Sequence, residues 1–282
     1  MARSDRSGDD RVDRVGEIPP PELGLRLEAE LKMLPRLETR KVAQGAAVAT
    51  AAVALKAFYS TASANDLRWV LAPTACLAGF VSGETFTFEG YAGYMSSDGS
   101  FLIAAPCAGL NFLIAAFLML SVLWLWREGR IYWTFLPSAF ALAYVTTIVA
   151  NTVRIAAALE LHRMVQPMIW VNPEELHRIE GILVYFGFLL VLYVIADSFL
   201  RDEPRTGGRM VAWSLLPLGI YWATTLGIPL INGAHEKHAR FLEHAAFVIV
   251  TPTLLMLPLL IAWLVKRRRA RLAFRSTCGW SA

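Results

Sequence analysis

Apolar residues gather in runs near the length of a bilayer crossing, separated by short polar or charged joints. Seven runs qualify as candidate spans: residues 42–59, 67–83, 101–126, 131–151, 179–196, 211–231 and 244–265. A helix needs about 20 apolar residues to cross the roughly 30 Å hydrocarbon layer. The pattern therefore predicts an all-α polytopic membrane protein, a bundle of about seven or eight transmembrane helices with a short extended extracytoplasmic segment before the helix that carries Cys107. It divides the chain into a charged N-terminal arm (1–41), a single transmembrane domain (42–265) and a basic cytoplasmic tail (266–282).

The central run, residues 101–126, holds Cys107 and Asn111 in its first half. Proline fits the first turn of a helix but not its interior, so Pro106 predicts a short lead-in and then a helix from about that residue. Cys107 is expected in the first turn, where free backbone amides and the helix dipole favour a thiolate, with Asn111 on the same face one turn later. The alternative is a small buried hydrophobe beside a helix-packing asparagine.

Residues 84–100 interrupt the apolar pattern with Glu84, Glu89, Asp98, three glycines and several serines, and predict an extramembrane loop with short extended pieces. Residues 1–41 carry both charge signs and predict a disordered start followed by a surface helix over residues 25–37. The first apolar run begins only after Lys41, which is not the pattern of a cleaved secretory leader.

Composition narrows the class. Of 282 residues 56% are hydrophobic and 18% charged, too little charge for the surface of a soluble domain of this size. The formal charge of +4 owes much to Lys266, Arg267, Arg268, Arg269 and Arg271, which read as a cytoplasmic anchor and not a nucleic-acid site. Cys76, Cys107 and Cys278 are too scattered for a disulfide scaffold or a zinc site.

Arg127 and Arg130, then Arg201, Arg205 and Arg209, then the terminal cluster mark cytoplasmic turns by the positive-inside rule. Counting back, the mouth of the Cys107 helix, residues 151–177 and residues 232–243 fall together on the extracytoplasmic side. Seven crossings leave the N-terminal arm outside, and an eighth brings it inside.

Asn151 and Arg154, three apart, share a helical face at that side. An arginine among Val153 and Ile155 is costly in lipid unless it snorkels to headgroups or turns into a polar cavity, where it can bind an oxyanion or a carboxylate. His177, with Glu180 on its face, stands at another mouth, and a histidine can exchange protons with a thiol near neutral pH. His162 competes for that role. His235, His238 and His244 sit near Glu236 and Glu243 at spacing too loose for a metal site. A nucleophile, a proton carrier and an oxyanion donor are what peptide-bond exchange requires, and Cys107, His177 and Arg154 supply those types at one membrane face.

With Pro106-Cys107-Ala108-Gly109, Asn151-Thr152-Val153-Arg154 and His177 leading a span with Gly181, the chain resembles the exosortase and archaeosortase family of integral membrane cysteine transpeptidases. Phe88-Glu89-Gly90 and Cys107 to Phe112 look most like the exosortase K branch. The similarity covers residues 42–196; Ala108 stands where many members have serine. The resemblance implies Cys107 as nucleophile with Arg154 and His177 as its partners, and no cofactor. It implies as substrates exported proteins with a C-terminal motif, a transmembrane helix and a basic tail, and as acceptor water or a lipid- or glycan-linked amine. It also implies the inner membrane of a bacterium, with the site facing the extracytoplasmic side. The alternatives are a small-solute or anion transporter, or a noncatalytic subunit of a polysaccharide-export or surface-assembly system.

Overall fold

The structure is a computed structural model that describes residues 20–127, 133–165, 173–200, 207–227, 230 and 241–277. It divides into two units, Met1–Gln44 and Gly45–Ala282, and the candidate site lies in the second. Helix α1 runs over Pro20–Thr61 and α2 over Arg68–Ser82. Strands β1 (Phe86–Glu89), β2 (Gly93–Ser96) and β3 (Leu102–Ile103) follow, then a 3-10 turn at Ala105–Ala108. The remaining helices are α3 (Leu110–Arg127), α4 (Phe135–Val165), α5 (Pro173–Phe199), α6 (Gly207–Trp222) with a π-helical turn at Ala223–Gly227, and α7 (Phe241–Thr277).

Five helices among the described residues are long and apolar enough to cross a membrane: Thr39–Thr61, Ala105–Trp126, Phe135–Leu161, Glu175–Phe199 and Phe241–Pro258. The expected bundle of seven or eight is therefore corrected. The run at 67–83 forms α2, whose 15 residues reach only about 22 Å at ~1.5 Å per residue, short of the hydrocarbon layer. The run at 211–231 does not form one regular helix: α6 ends at Trp222 and the backbone widens into the π-helical turn.

The second correction is a sheet. The extended pieces before Cys107 form a three-stranded antiparallel sheet in the order β1-β2-β3, with Phe88 opposite Tyr94 and Tyr94 opposite Ile103. The chain passes so close at Gly93, where φ is +126°, that a Cβ would fall on the Ile103 carbonyl, which leaves glycine as the residue that fits. Asp98 braces the turn into β3. Its carboxylate accepts from the Ser96 hydroxyl at 2.6 Å, the Ser100 amide at 3.0 Å and the Ser100 hydroxyl at 2.7 Å, and these bonds hold its pKa down to about 2. Ile103 is fully buried against Leu67, Leu71 and Leu110, so the sheet pins the segment that leads into Cys107.

Helices α3, α4 and α5 make the most extensive packing in the bundle, around Leu113, Phe117, Leu123, Phe186 and Leu189. Their up-down order brings the start of α3, the second half of α4 and the start of α5 to one end of the bundle. Lipid tails are as apolar as these side chains, so close fit and hydrogen bonds, not hydrophobic burial, favour the helices over separate spans.

Candidate functional site

Cys107 is not in the first turn of the long helix, as the sequence led us to expect. It occupies the 3-10 turn, with its amide donating to the Ala104 carbonyl at 2.8 Å, and Gly109 in the left-handed region (φ +70°) separates it from α3. The break changes its neighbours. Asn111 accepts instead from Lys56 Nζ at 2.9 Å, and the asparagine that reaches Cys107 comes from α4.

That residue is Asn151, which has no exposed surface. Its Nδ2 donates to the Cys107 carbonyl at 2.5 Å, and its Oδ1 accepts from the Tyr185 hydroxyl at 2.9 Å. The same hydroxyl lies 3.4 Å from Nη1 of Arg154, and Nη2 of Arg154 lies 3.0 Å from Nε2 of His177. Nδ1 of that imidazole is in turn 3.5 Å from Oε2 of Glu180. One polar chain thus runs Glu180–His177–Arg154–Tyr185–Asn151–Cys107, through α5, α4 and the 3-10 turn.

The donors are directional. A guanidinium only donates, so the Tyr185 oxygen accepts from Arg154 and its O–H donates to Oδ1 of Asn151, whose amide then points Nδ2 at the Cys107 carbonyl. Linked hydrogen bonds of one sense polarise one another, which makes this run stiffer than its separate pairs. Tyr185 is further fixed by stacking on Phe112, with ring centroids 5.1 Å apart, and by the Arg154 guanidinium 5.3 Å from its ring.

Two glycines make room for the chain. A Cβ on Gly109 would stand 3.2 Å from the Tyr185 hydroxyl and 3.4 Å from Cγ of Asn151. A Cβ on Gly181 would stand 3.0 Å from Nε of Arg154, so that glycine sets how closely α5 approaches the arginine.

All three residues singled out from sequence lie at this end of the bundle. Arg154 and His177 are hydrogen-bonded, and Cys107 lies close enough to Arg154, Tyr185 and Tyr59 to interact electrostatically with each. Among the described residues, no hydrogen bond joins the Cys107 thiol to His177; the thiol is free and half-buried. An open cavity of about 260 Å³ lies alongside, bounded by Lys56, Pro106, Arg154, His177, Tyr185 and His244. His177 is 47% exposed and Glu180 8%, so the imidazole faces the cavity with the carboxylate behind it.

Other expected participants fall elsewhere. The side chain of His162 lies outside the described residues, as do His235, Glu236, His238 and Cys278. Arg178 pairs with Glu243 at 3.6 Å, which ties α5 to α7 near the cavity. Among the described residues no group of three or more His, Cys, Asp or Glu could hold a metal ion. Tyr185 and Tyr59 were missed from sequence. The available signal for Tyr185 is its place four residues after Gly181 and eight after His177, the same face of α5.

Compared with protein-family models, with curated proteins and with solved structures, the chain matches none. What fold and site define together is a multi-pass helical membrane protein with a polar, partly buried residue chain at one end of its bundle and an open cavity beside it.

Proposed function

We propose that the protein is a membrane-embedded cysteine peptidase or transpeptidase of the exosortase type, acting on the C-terminal sorting regions of exported proteins. The observation that carries this reading is the hydrogen bond between Arg154 and His177, made in the same polar chain that grips the backbone of Cys107. Arg154 and His177 line the cavity, as do Pro106 and Gly109 on either side of Cys107, although 23 residues separate the arginine from the histidine and 44 the asparagine from the cysteine.

In this mechanism the Cys107 thiol gives its proton to His177 as the sulfur attacks the substrate carbonyl. Arg154, which carries donors to spare, turns to the oxygen and balances its negative charge. The tetrahedral intermediate collapses, the C–N bond breaks, and the proton on His177 goes to the leaving amine. The acyl group remains on sulfur as a thioester. An incoming amine, or water, attacks that thioester and loses its proton to His177, and the thiol is regenerated. The thiol and imidazole draw together when substrate fills the cavity, as catalytic hydrogen bonds commonly tighten only in the complex.

The basic residues at the far ends of α3 and α7 favour a cytoplasmic placement for those ends, which turns the cavity to the extracytoplasmic side of a bacterial inner membrane. A sorting signal with a transmembrane helix and basic tail would lie beside the bundle, its motif emerging at the level of Cys107. The acceptor on this reading is water or a lipid- or glycan-linked amine.

The thioester is the testable intermediate. Membranes carrying the protein are incubated with a substrate C-terminal segment, quenched in acid and split by neutral hydroxylamine. The expected result is an acyl group on Cys107, recovered as the hydroxamate and missing from Cys107→Ala. A processed substrate with no adduct in a trapping series, together with unaltered processing in Cys107→Ala, contradicts the proposal.

A further inference from the structure

Glu180 belongs to the polar chain, and the mechanism above does not use it. Glu180 is buried in α5, 7% exposed, and among the described residues neither of its carboxylate oxygens makes a hydrogen bond of ordinary geometry. Oε2 faces Nδ1 of His177 at 3.5 Å. A buried carboxylate without a full set of partners is expensive, and an apolar residue of similar size would serve packing as well or better. Its place behind the imidazole gives it another use.

The proton on His177 can be assigned from the partners alone. Arg154 has no acceptor, so its Nη2 donates across the 3.0 Å contact and Nε2 of His177 accepts. A neutral imidazole has one N–H, and with Nε2 accepting it must sit on Nδ1, the nitrogen that faces Glu180. An imidazolium would set an N–H of its own against the guanidinium and is the wrong partner for it.

We propose that Glu180 is a positioning residue that holds His177 in the Nδ1–H tautomer, so that Nε2 is the nitrogen left to take the thiol proton. This rests on the proposed function for its catalytic meaning, though not for its test. In the resting protein Arg154 covers Nε2. When a substrate carbonyl draws the guanidinium away, the uncovered lone pair is already on the correct nitrogen. The imidazole then takes the Cys107 proton at Nε2, its Nδ1–H stays directed at the carboxylate, and the proton passes from Nε2 to the leaving amine. Only that one proton moves, and Glu180 neither gives nor receives one. Orientation by a carboxylate behind a histidine is what makes such a base effective in acyl transfer.

The test reads the tautomer directly. Full-length protein with 15N-labelled histidine is placed in lipid nanodiscs, and His177 is assigned from the spectrum of His177→Gln. The expected spectrum shows Nδ1 as a protonated nitrogen and Nε2 as a bare one. Glu180→Gln keeps an acceptor oxygen and keeps the pattern, whereas Glu180→Leu gives mixed or averaged tautomers while folding at least as stably. In processing assays Glu180→Leu lowers kcat about tenfold to a hundredfold with KM unchanged, a part of the roughly 10²–10⁴-fold that general acid–base catalysis supplies, and Glu180→Gln restores most of it. A wild-type Nε2–H pattern, or a Glu180→Leu spectrum identical to wild type, overturns the assignment. A protein that shows the expected tautomers and processes nothing leaves the assignment standing and removes the peptidase reading; one that processes with His177 as Nε2–H does the reverse.

Discussion

Asn151 holds the main-chain carbonyl of Cys107 through a 2.5 Å hydrogen bond, so the position of the thiol-bearing turn is set from α4, the helix that also carries Arg154. The turn itself is short, and Gly109 uncouples it from α3. Truncating Asn151 to alanine strands the Cys107 carbonyl and the Tyr185 hydroxyl together. Each unpaired buried group costs about 1–3 kcal/mol, so Asn151→Ala should lower the thermal midpoint and sharply reduce processing. Asn151→Asp keeps the acceptor for Tyr185 but not the donor. Thermal unfolding in detergent, followed by a processing assay at matched abundance, should place it between wild type and alanine in stability.

Gly181→Ala separates fold from function. Alanine is favoured over glycine inside a helix by about 1 kcal/mol, but the new methyl would stand 3.0 Å from Nε of Arg154. The guanidinium must move, and its bond to His177 lengthens or breaks. The expected protein is as stable as wild type in thermal unfolding, with processing reduced at least tenfold, an order of magnitude in line with losing an oxyanion donor. Wild-type processing by Gly181→Ala would show that the arginine need not sit where it does.

Asp98 makes the hairpin sensitive to acid. Its folded pKa, about 2, lies below the ordinary aspartate value of 3.8, so protons bind more tightly to the unfolded segment. The carboxylate's contribution to the turn is fully present above about pH 4 and fades as pH falls towards 2. Hydrogen exchange of the Ser100 and Phe101 amides between pH 2 and 5, corrected for intrinsic exchange, should show protection rising with pH over that window. Asp98→Asn should flatten the profile.

Cys107 should react with a membrane-impermeant maleimide from the extracytoplasmic side. Cys76 is exposed, so the experiment needs Cys76→Ser and Cys278→Ser as background. Labelling confined to the cytoplasmic face of oriented vesicles would contradict the sidedness.

Much of the site was legible because its residues break a strong pattern. Arg154 is a charge inside an apolar run, Asn151 stands one turn before it, and His177 opens a run, so helical period and charge bias bring them to one end. The sheet was not legible beyond its extended character. Strands of two to four residues are too short to show alternation, and only the pairing of Tyr94 with both Phe88 and Ile103 makes them a sheet. The span count failed where hydropathy sees composition and not geometry: α2 is apolar but short, and α6 changes winding at Ala223. Tyr185 was hidden because a tyrosine within Val184-Tyr185-Phe186 is ordinary in a span. Its hydroxyl gains meaning only from the fold, which puts Asn151 and Arg154 against it.

The most direct measurement compares the C-termini of exported proteins from cells with the native chain and from a Cys107→Ala strain of equal protein abundance, by mass spectrometry of intact proteins. The account predicts that the mutant accumulates precursors that keep their hydrophobic tails, while the native strain shows a new terminus bearing either an acceptor or a free carboxylate. Identical processed termini in both strains would contradict a cysteine mechanism and leave transport or surface assembly as the role of this bundle.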